Sequence, residues 1–355
     1  MRIASIVGVR PQFIKASVVS RELRKRHEEI LIHTGQHYDY EMNQVFFEEL
    51  GVPEPDYYLG VGSGSHGFQT GEMLKKIEEV LVNEKSDLVL TYGDTNSTLA
   101  GALAASKLHI KTAHVESGLR SFDRSMPEEI NRILIDHCSD ILFCPTKNAV
   151  ENLKNEGIKE NVYLTGDVMV DSLLYNRETA EKKSTILTDL GLRSKGYIVA
   201  TIHRASNTDN KENLQNIVEA LSELNETIVF PLHPRTENLL KEYGLYNKLK
   251  SSVILTQPLG FFEFIKLMGH AKMILTDSGG VQKEAYVLKV PCITLRENTE
   301  WVETVEEGWN VLVGTDKDKL IKTIDEFSPQ FITNTEIFGT GNASKFISLI
   351  LNKLN

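Results

Sequence analysis

The 355-residue chain has three cysteines, two tryptophans and ten prolines, and no run of basic residues longer than Arg24 to Arg26. Cys138, Cys144 and Cys292 are odd in number, and none of their spacings makes a zinc knuckle or a CxxC redox pair. Reduced thiols and a cytoplasmic setting are therefore expected. No run of about 18 apolar residues occurs, and the apolar stretch at MRIASIVGVRPQ is too brief for a signal peptide, so neither export nor a membrane partner is expected. Lys and Arg total 39 against 49 Asp and Glu, a net charge of −10. That balance opposes a nucleic-acid partner, because phosphate backbones are gripped by basic surfaces. His33 and His37 are four apart, but Gly35 between them spoils a helical ligand pair and no HExxH occurs. No metal is expected.

What the chain does have is length, 41% hydrophobic residues and 25% charged residues, enough for two cored domains. Short β-branched runs alternate with helical patterns throughout: RIASIV, EILIH, DLVLT, KTAHV, DILF and NVYLT, then YIVAT, TIVF, SVIL, KMIL, PCIT and NVLV. Such alternation predicts an α/β fold with parallel sheets covered on both faces, about six strands on each side. The long polar-faced helix VMVDSLLYNRETAEKK places the domain boundary near 172, giving domains 1–172 and 173–339.

Both halves carry one device, a strand running into a small-residue turn with an Asp and then a helix: LVLTYGDTNSTLAG and MILTDSGGVQKEA. A helix start offers unpaired N–H donors and the positive end of a dipole, so Ser278, Gly279 and Gly280 suit an anion. A plain Ser N-cap on a tight turn is the simpler account of the same residues. In the first half, Arg10 falls in the first loop and Lys15 in the next helix, where either could face a phosphate or merely meet solvent. Asp94 and Glu116 follow successive strands, which favours a shared site. Glu128 and Glu129 open a helix after Pro127, and Glu129 reads as a dipole partner. In the second half His203 and Arg204 follow one strand and His233 another, while Phe264 could stack on a base or be plain core with Phe261 and Met268. GSGSHG at Gly62 to Gly67 matches GxGxxG but lies in a Gly/Ser-rich stretch with Asp94 too distant for a ribose contact, so a loop is favoured over dinucleotide binding. Tyr246 and Lys250 read as a solvated helix face.

Taken in order, VRPQFIK, GQHYD, GDTNSTLAG, HVESGLRS, PEEINR, the HR of TIHR, PLHPRT, LTDSGGVQKEA and FGTGNAS resemble the non-hydrolysing UDP-N-acetylglucosamine 2-epimerases over nearly the whole chain. The resemblance implies the glycosyltransferase-B architecture, two Rossmann-like domains facing across a cleft, with a closing helix at 340–355 returning to the first. It implies interconversion of UDP-GlcNAc and UDP-ManNAc with no cofactor, through loss and re-addition of UDP by way of 2-acetamidoglucal. Ser278, Gly279 and Gly280 would hold the diphosphate, Glu284 the ribose, and Phe264 the uracil. Arg10, Lys15 and His203 would meet charge near the phosphates and sugar, and Asp94, Glu116 and Glu128 would move protons. A homodimer is expected by the same likeness. A hydrolysing relative and a UDP-sugar glycosyltransferase of the same architecture are the alternatives.

Departures from the family pattern are local. TEWVE stands where the family commonly has TERPE, so Trp301 replaces an Arg and Val302 a Pro. Bacterial members bind a second UDP-GlcNAc through the GQH segment and a following polar loop. Gln36 is kept here, whereas Tyr38, Asp39 and the loop GSGSHGFQ differ, so activation is not assumed.

Overall fold

The computed structural model describes residues 1–36, 50–329 and 336–353. The chain divides into two compact units, Met1–Asn176 with Glu336–Asn355, and Arg177–Thr335, and helix Val168–Lys183 runs from one into the other.

In the first unit, strands β1 (Arg2–Val7), β2 (Glu28–His33), β3 (Tyr57–Tyr58), β4 (Leu88–Tyr92), β5 (Lys111–Val115), β6 (Ile141–Cys144) and β7 (Val162–Leu164) lie in the order β3-β2-β1-β4-β5-β6-β7. In the second, β8 (Ile198–Thr201), β9 (Ile228–Pro231), β10 (Ile254–Thr256), β11 (Met273–Thr276), β12 (Cys292–Thr294) and β13 (Asn310–Leu312) lie in the order β10-β9-β8-β11-β12-β13. Every pairing is parallel. All twelve apolar runs read from the sequence are strands, and the short β3 adds a thirteenth. Both units are doubly wound Rossmann sheets, and in each the direction of winding reverses at one place, between β1 and β4 and between β8 and β11.

Helices cover both faces, so the central strands are buried on each side. Against one face of the first sheet, Ile6, Ile32 and Val89 pack with Met73, Ile77, Ala100 and Ala104. The small residues of helix Asn96–Lys107 let its backbone come close: a Cβ on Gly101 would lie 3.0 Å from Ile6 Cγ1. In the second unit Ala200, Ile217, Leu221, Phe230, Leu275 and Ile293 share one core.

The closing segment belongs to the first unit. The Asp167 N–H donates to the Phe338 carbonyl at 2.8 Å, and Asp171 accepts from the N–H groups of Ala343 and Ser344 and from the Ser344 hydroxyl. Helix Ala343–Lys353 thereby starts on a buried carboxylate and packs on helix Arg10–Leu23.

Candidate active site

Loops at the carboxyl ends of strands beside a winding reversal are where open α/β sheets take ligands. In the first unit, β1 leads to Arg10 and Lys15, β4 to Asp94, and the neighbouring β5 to Glu116. Arg10 is the first residue of helix Arg10–Leu23, not a loop residue. Gln12 draws the helix start forward by accepting from the Gly8 and Val9 N–H groups at 2.7 and 3.2 Å, with Pro11 fixing φ inside the first turn. The Gln12 amide also donates to the Tyr92 carbonyl and to the Thr95 and Thr98 hydroxyls, which ties the β1 and β4 turns together.

Lys15 is no solvated helix lysine. Only 7% exposed, it forms an ion pair and hydrogen bond with Glu116, whose own side chain is 9% exposed. Glu116 sits at φ +77° and Gly93 at φ +67°. A Cβ on Gly93 would stand 3.0 Å from Lys15 Nζ and 3.3 Å from Glu116 Oε2, so glycine is needed there for space as well as for conformation. Asp94, the next residue, receives Arg132 Nε and Nη2 at 2.9 and 2.7 Å on Oδ2.

Glu128 and Glu129 open helix Pro127–Cys138 and part company at once. Glu129 is 1% exposed and accepts from Ser121 N and Oγ, Phe122 N and Arg132 Nη1, so it is a structural anchor for the 121–122 turn. Glu128 is half-buried.

Beneath these groups runs a buried chain of charge. His114 presents Nε2 to the Gly93 carbonyl and Nδ1 to Asp136 Oδ1, both at 2.8 Å. Asp136 Oδ2 accepts from Gly118 N and Arg120 Nη1, and Arg120 pairs with Glu156 through Nε and Nη2. Burial pushes the Asp136 carboxyl up, but the His114 and Arg120 contacts outweigh it and hold the group below the usual carboxylate value.

In the second unit β8 and β11 are neighbours, joined beyond the ladder by a 2.6 Å contact between the Thr201 and Thr276 hydroxyls. This pairing brings His203 and Arg204 to the DSGG corner. Asp277, fully buried, accepts from the N–H groups of His203 and Arg204 and from Asn207 Nδ2. The His203 side chain stays 44% exposed with Nδ1 3.5 Å from Asp277 Oδ1, and its ring centroid lies 6.3 Å from that of His233. His233 also caps helix Pro234–Glu242, accepting from Arg235 N.

Helix Gly279–Leu288 begins at Ser278, whose side chain makes no cap hydrogen bond. Such a start orients its first N–H groups outward along the axis. A Cβ on Gly279 would fall 2.1 Å from Glu300 Oε1, while one on Gly280 would meet nothing nearer than Ser278 Oγ at 4.0 Å. Glu300 pairs with Arg296 at 2.8 Å and lies 3.8 Å from Arg204. Trp301 is buried with Lys283 Nζ 3.9 Å above its ring, a cation stacked on an aromatic face. Glu284 is 9% exposed on the same helix. Phe264 is half-buried on helix Phe261–Gly269, whose Phe261 and Met268 are core.

Sequence reading overlooked Gln12, Arg132, Asp277 and the His114–Asp136 pair. Their signal was position: each lies within or beside a motif already singled out, but the partner that gives it meaning is remote in sequence. His37, Tyr38 and Asp39 lie outside the described residues. Of GSGSHG, Gly62 to Ser65 form a loop before helix His66–Glu84, which His66 and Gly67 open; Gly62 N donates to the Gly35 carbonyl, and Gln36 accepts from Ser97 N and Oγ. Lys250 is exposed. Cys144 and Cys292 are free and buried, and burial pushes both thiols up, Cys292 to about 12. Among the described residues there is no cluster of metal-ligating side chains, and no helix is long and apolar enough to cross a membrane.

Paired Rossmann units of this kind define the glycosyltransferase-B class. A sucrose-phosphate synthase from Thermosynechococcus elongatus shares that fold at 12% identity, with a TM-score of 0.64 over 100% of this chain and 99% of the other. The sequence profile described as UDP-N-acetylglucosamine 2-epimerase matches residues 21–352, and the chain belongs to that family. It is 61% identical, over the whole of both chains, to a Methanococcus maripaludis protein named UDP-N-acetylglucosamine 2-epimerase homolog. It is 50% identical, again over the whole of both, to the UDP-2,3-diacetamido-2,3-dideoxy-D-glucuronate 2-epimerase of Pseudomonas aeruginosa. The crystal structure of Methanocaldococcus jannaschii UDP-GlcNAc 2-epimerase in complex with UDP-GlcNAc and UDP matches with a TM-score of 0.93 at 49% identity, covering 99% of this chain and 100% of that one.

Proposed function

We propose that the chain interconverts UDP-GlcNAc and UDP-ManNAc without hydrolysis, by eliminating UDP and adding it back through 2-acetamidoglucal. The C2 hydrogen of an N-acetylhexosamine has no neighbouring carbonyl to acidify it, so simple deprotonation is too costly. Elimination avoids this. A carboxylate takes the C2 proton as the C1–O bond breaks, the electron pair forms the C1–C2 double bond, and UDP carries the negative charge away. Delivery of a proton to the other face of C2 with return of UDP to C1 completes inversion.

The observation that carries the reading is the pair of strand-end carboxylates, each held by a cation: Glu116 by Lys15 and Asp94 by Arg132. Carboxylates set in fixed, charged surroundings can hold different protonation states, as acid and base must. With Glu128 they form the proton-handling set, and Arg10 and Lys15 are the cations that meet the leaving diphosphate. In the second unit Ser278, Gly279 and Gly280 cradle that diphosphate, Glu284 reads the ribose, Phe264 lies on the uracil, and His203 faces the charge developing on UDP. Preformed donors and cations at such a site lower the barrier without reorganising.

The reaction run in D₂O and followed by NMR tests this. Product carrying deuterium at C2, with UDP-sugars alone at equilibrium, is expected. Retained C2 hydrogen rules out the proton-transfer scheme, and free N-acetylmannosamine would make the enzyme a hydrolase. The diacetamido uronate named for the 50% identical relative has the same C2 chemistry. Comparing kcat/KM for the two substrates decides which sugar the site was shaped for.

A further inference from the structure

We infer that His114 is a positioning residue for both carboxylate-bearing turns, and that it acts as an imidazolium donating from both ring nitrogens. The inference rests on the epimerase reading for its consequence and on geometry for its substance. His114 is 1% exposed, and each ring nitrogen meets an oxygen at 2.8 Å. On the Nε2 side that oxygen is the Gly93 carbonyl, which can only accept. On the Nδ1 side it is Asp136 Oδ1, in a carboxylate whose other oxygen already accepts from Gly118 N and Arg120 Nη1. A neutral ring would set a lone pair against one of these acceptors inside the protein, so both nitrogens carry protons.

The charged groups around the ring alternate in sign. Asp136 comes from helix Pro127–Cys138, Arg120 from the turn after β5, Glu156 from the end of helix Lys147–Asn155, and the Lys15–Glu116 pair stands on the far side of Gly93. Imidazolium, carboxylate, guanidinium and carboxylate make a neutral chain.

This ring holds the two turns from below. The Gly93 N–H donates to the Val115 carbonyl and its carbonyl accepts from His114, so the residue before Asp94 is clamped at both ends. Asp136 meanwhile holds Gly118 N, and the Ser117 hydroxyl donates to the His114 carbonyl, which fixes the turn that carries Glu116 at φ +77°. His114 therefore sets the spacing of Asp94 and Glu116 without facing substrate itself. Displacing a reacting group by about 1 Å can cost on the order of 100-fold in rate.

Two measurements test it. In wild-type protein labelled with ¹⁵N-histidine, NMR at neutral pH should show one buried ring with both nitrogens protonated. A buried ring set containing only neutral tautomers overturns the inference, whether or not the enzyme proves to be an epimerase. In His114→Gln, kcat for C2 exchange should fall on the order of 100-fold, while KM and UDP affinity stay within about twofold, because the ring faces no substrate and the proposed diphosphate cradle, ribose and uracil contacts lie in the other unit. An unchanged kcat, or a loss confined to KM, overturns the positioning role. Should His114→Gln fail to fold, Asp136→Asn removes the carboxylate at equal size and is read by the same split. Wild-type C2 deuterium incorporation, measured alongside, separates failure of this inference from failure of the epimerase reading.

Discussion

Apart from the Arg296–Glu300 pair of the second unit, the two units meet charge at their strand ends in different ways. At the strand ends of Met1–Asn176, ionised side chains are already matched to one another, as in Lys15 with Glu116 and Arg132 with Asp94 and Glu129. At the strand ends of Arg177–Thr335, the fully buried carboxylate of Asp277 is satisfied mainly by backbone N–H groups, and the neighbouring helix starts on two glycines without a side-chain cap. The first arrangement suits groups that exchange protons, because a nearby partner sets which protonation state is favoured. The second suits a ligand that arrives with its own negative charge. One sheet plan thus carries two arrangements of charge, set by the residues that end its strands.

The largest expected break in this comparison is Glu116→Gln or Asp94→Asn. Either should lower C2 exchange by about 10³-fold, within the range of general acid–base catalysis, and leave UDP affinity by calorimetry nearly unchanged. A loss of UDP affinity of the same size would place binding in the first unit and erase the distinction.

Acid should also tell the units apart. Burial lowers His33 on β2 to about 4 from its ordinary 6.5. Between those values the unfolded chain takes up a proton that the native ring refuses, so stability is full above about pH 6.5 and falls as pH drops toward 4, by at most about 3 kcal/mol. Thermal unfolding followed from pH 7.5 to 4.5 should show this loss in a transition of the first unit, and His33→Asn should flatten it.

Gly279→Ala comes next. Its methyl group would meet Glu300 Oε1, and UDP affinity should fall about tenfold, or 1.4 kcal/mol, with kcat at saturation nearly kept. Gly280→Ala has open space around it, so it should leave the melting temperature alone while still weakening UDP. Weakening by neither substitution would remove the cradle.

The smallest effect tests a latch instead of a site. Asp171→Ala takes the acceptor from the start of helix Ala343–Lys353 and should cost about 1 kcal/mol in urea unfolding with catalysis unchanged.

Much of this was present in the order of residues. Apolar runs of four to six residues separated by helical patterns admit little besides parallel sheets covered on both faces, because such runs have no polar face to leave in water. RIASIV and KMIL became central strands for that reason. The Ser-Gly-Gly start of helix Gly279–Leu288 was likewise legible locally, since a helix start depends on the backbone of those same residues. Tertiary structure alone decided which charges were matched. Lys15 and Glu116 are separated by 101 positions and Arg132 and Asp94 by 38, and no pattern within either segment says that β4 lies between β1 and β5 in the sheet. The same holds for Glu128 and Glu129, neighbours with one environment on paper: the helix turn sends the second inward to hold a loop and leaves the first half-buried. Local propensity is a property of a few consecutive residues, whereas the pairing of buried charges depends on how the sheet is wound.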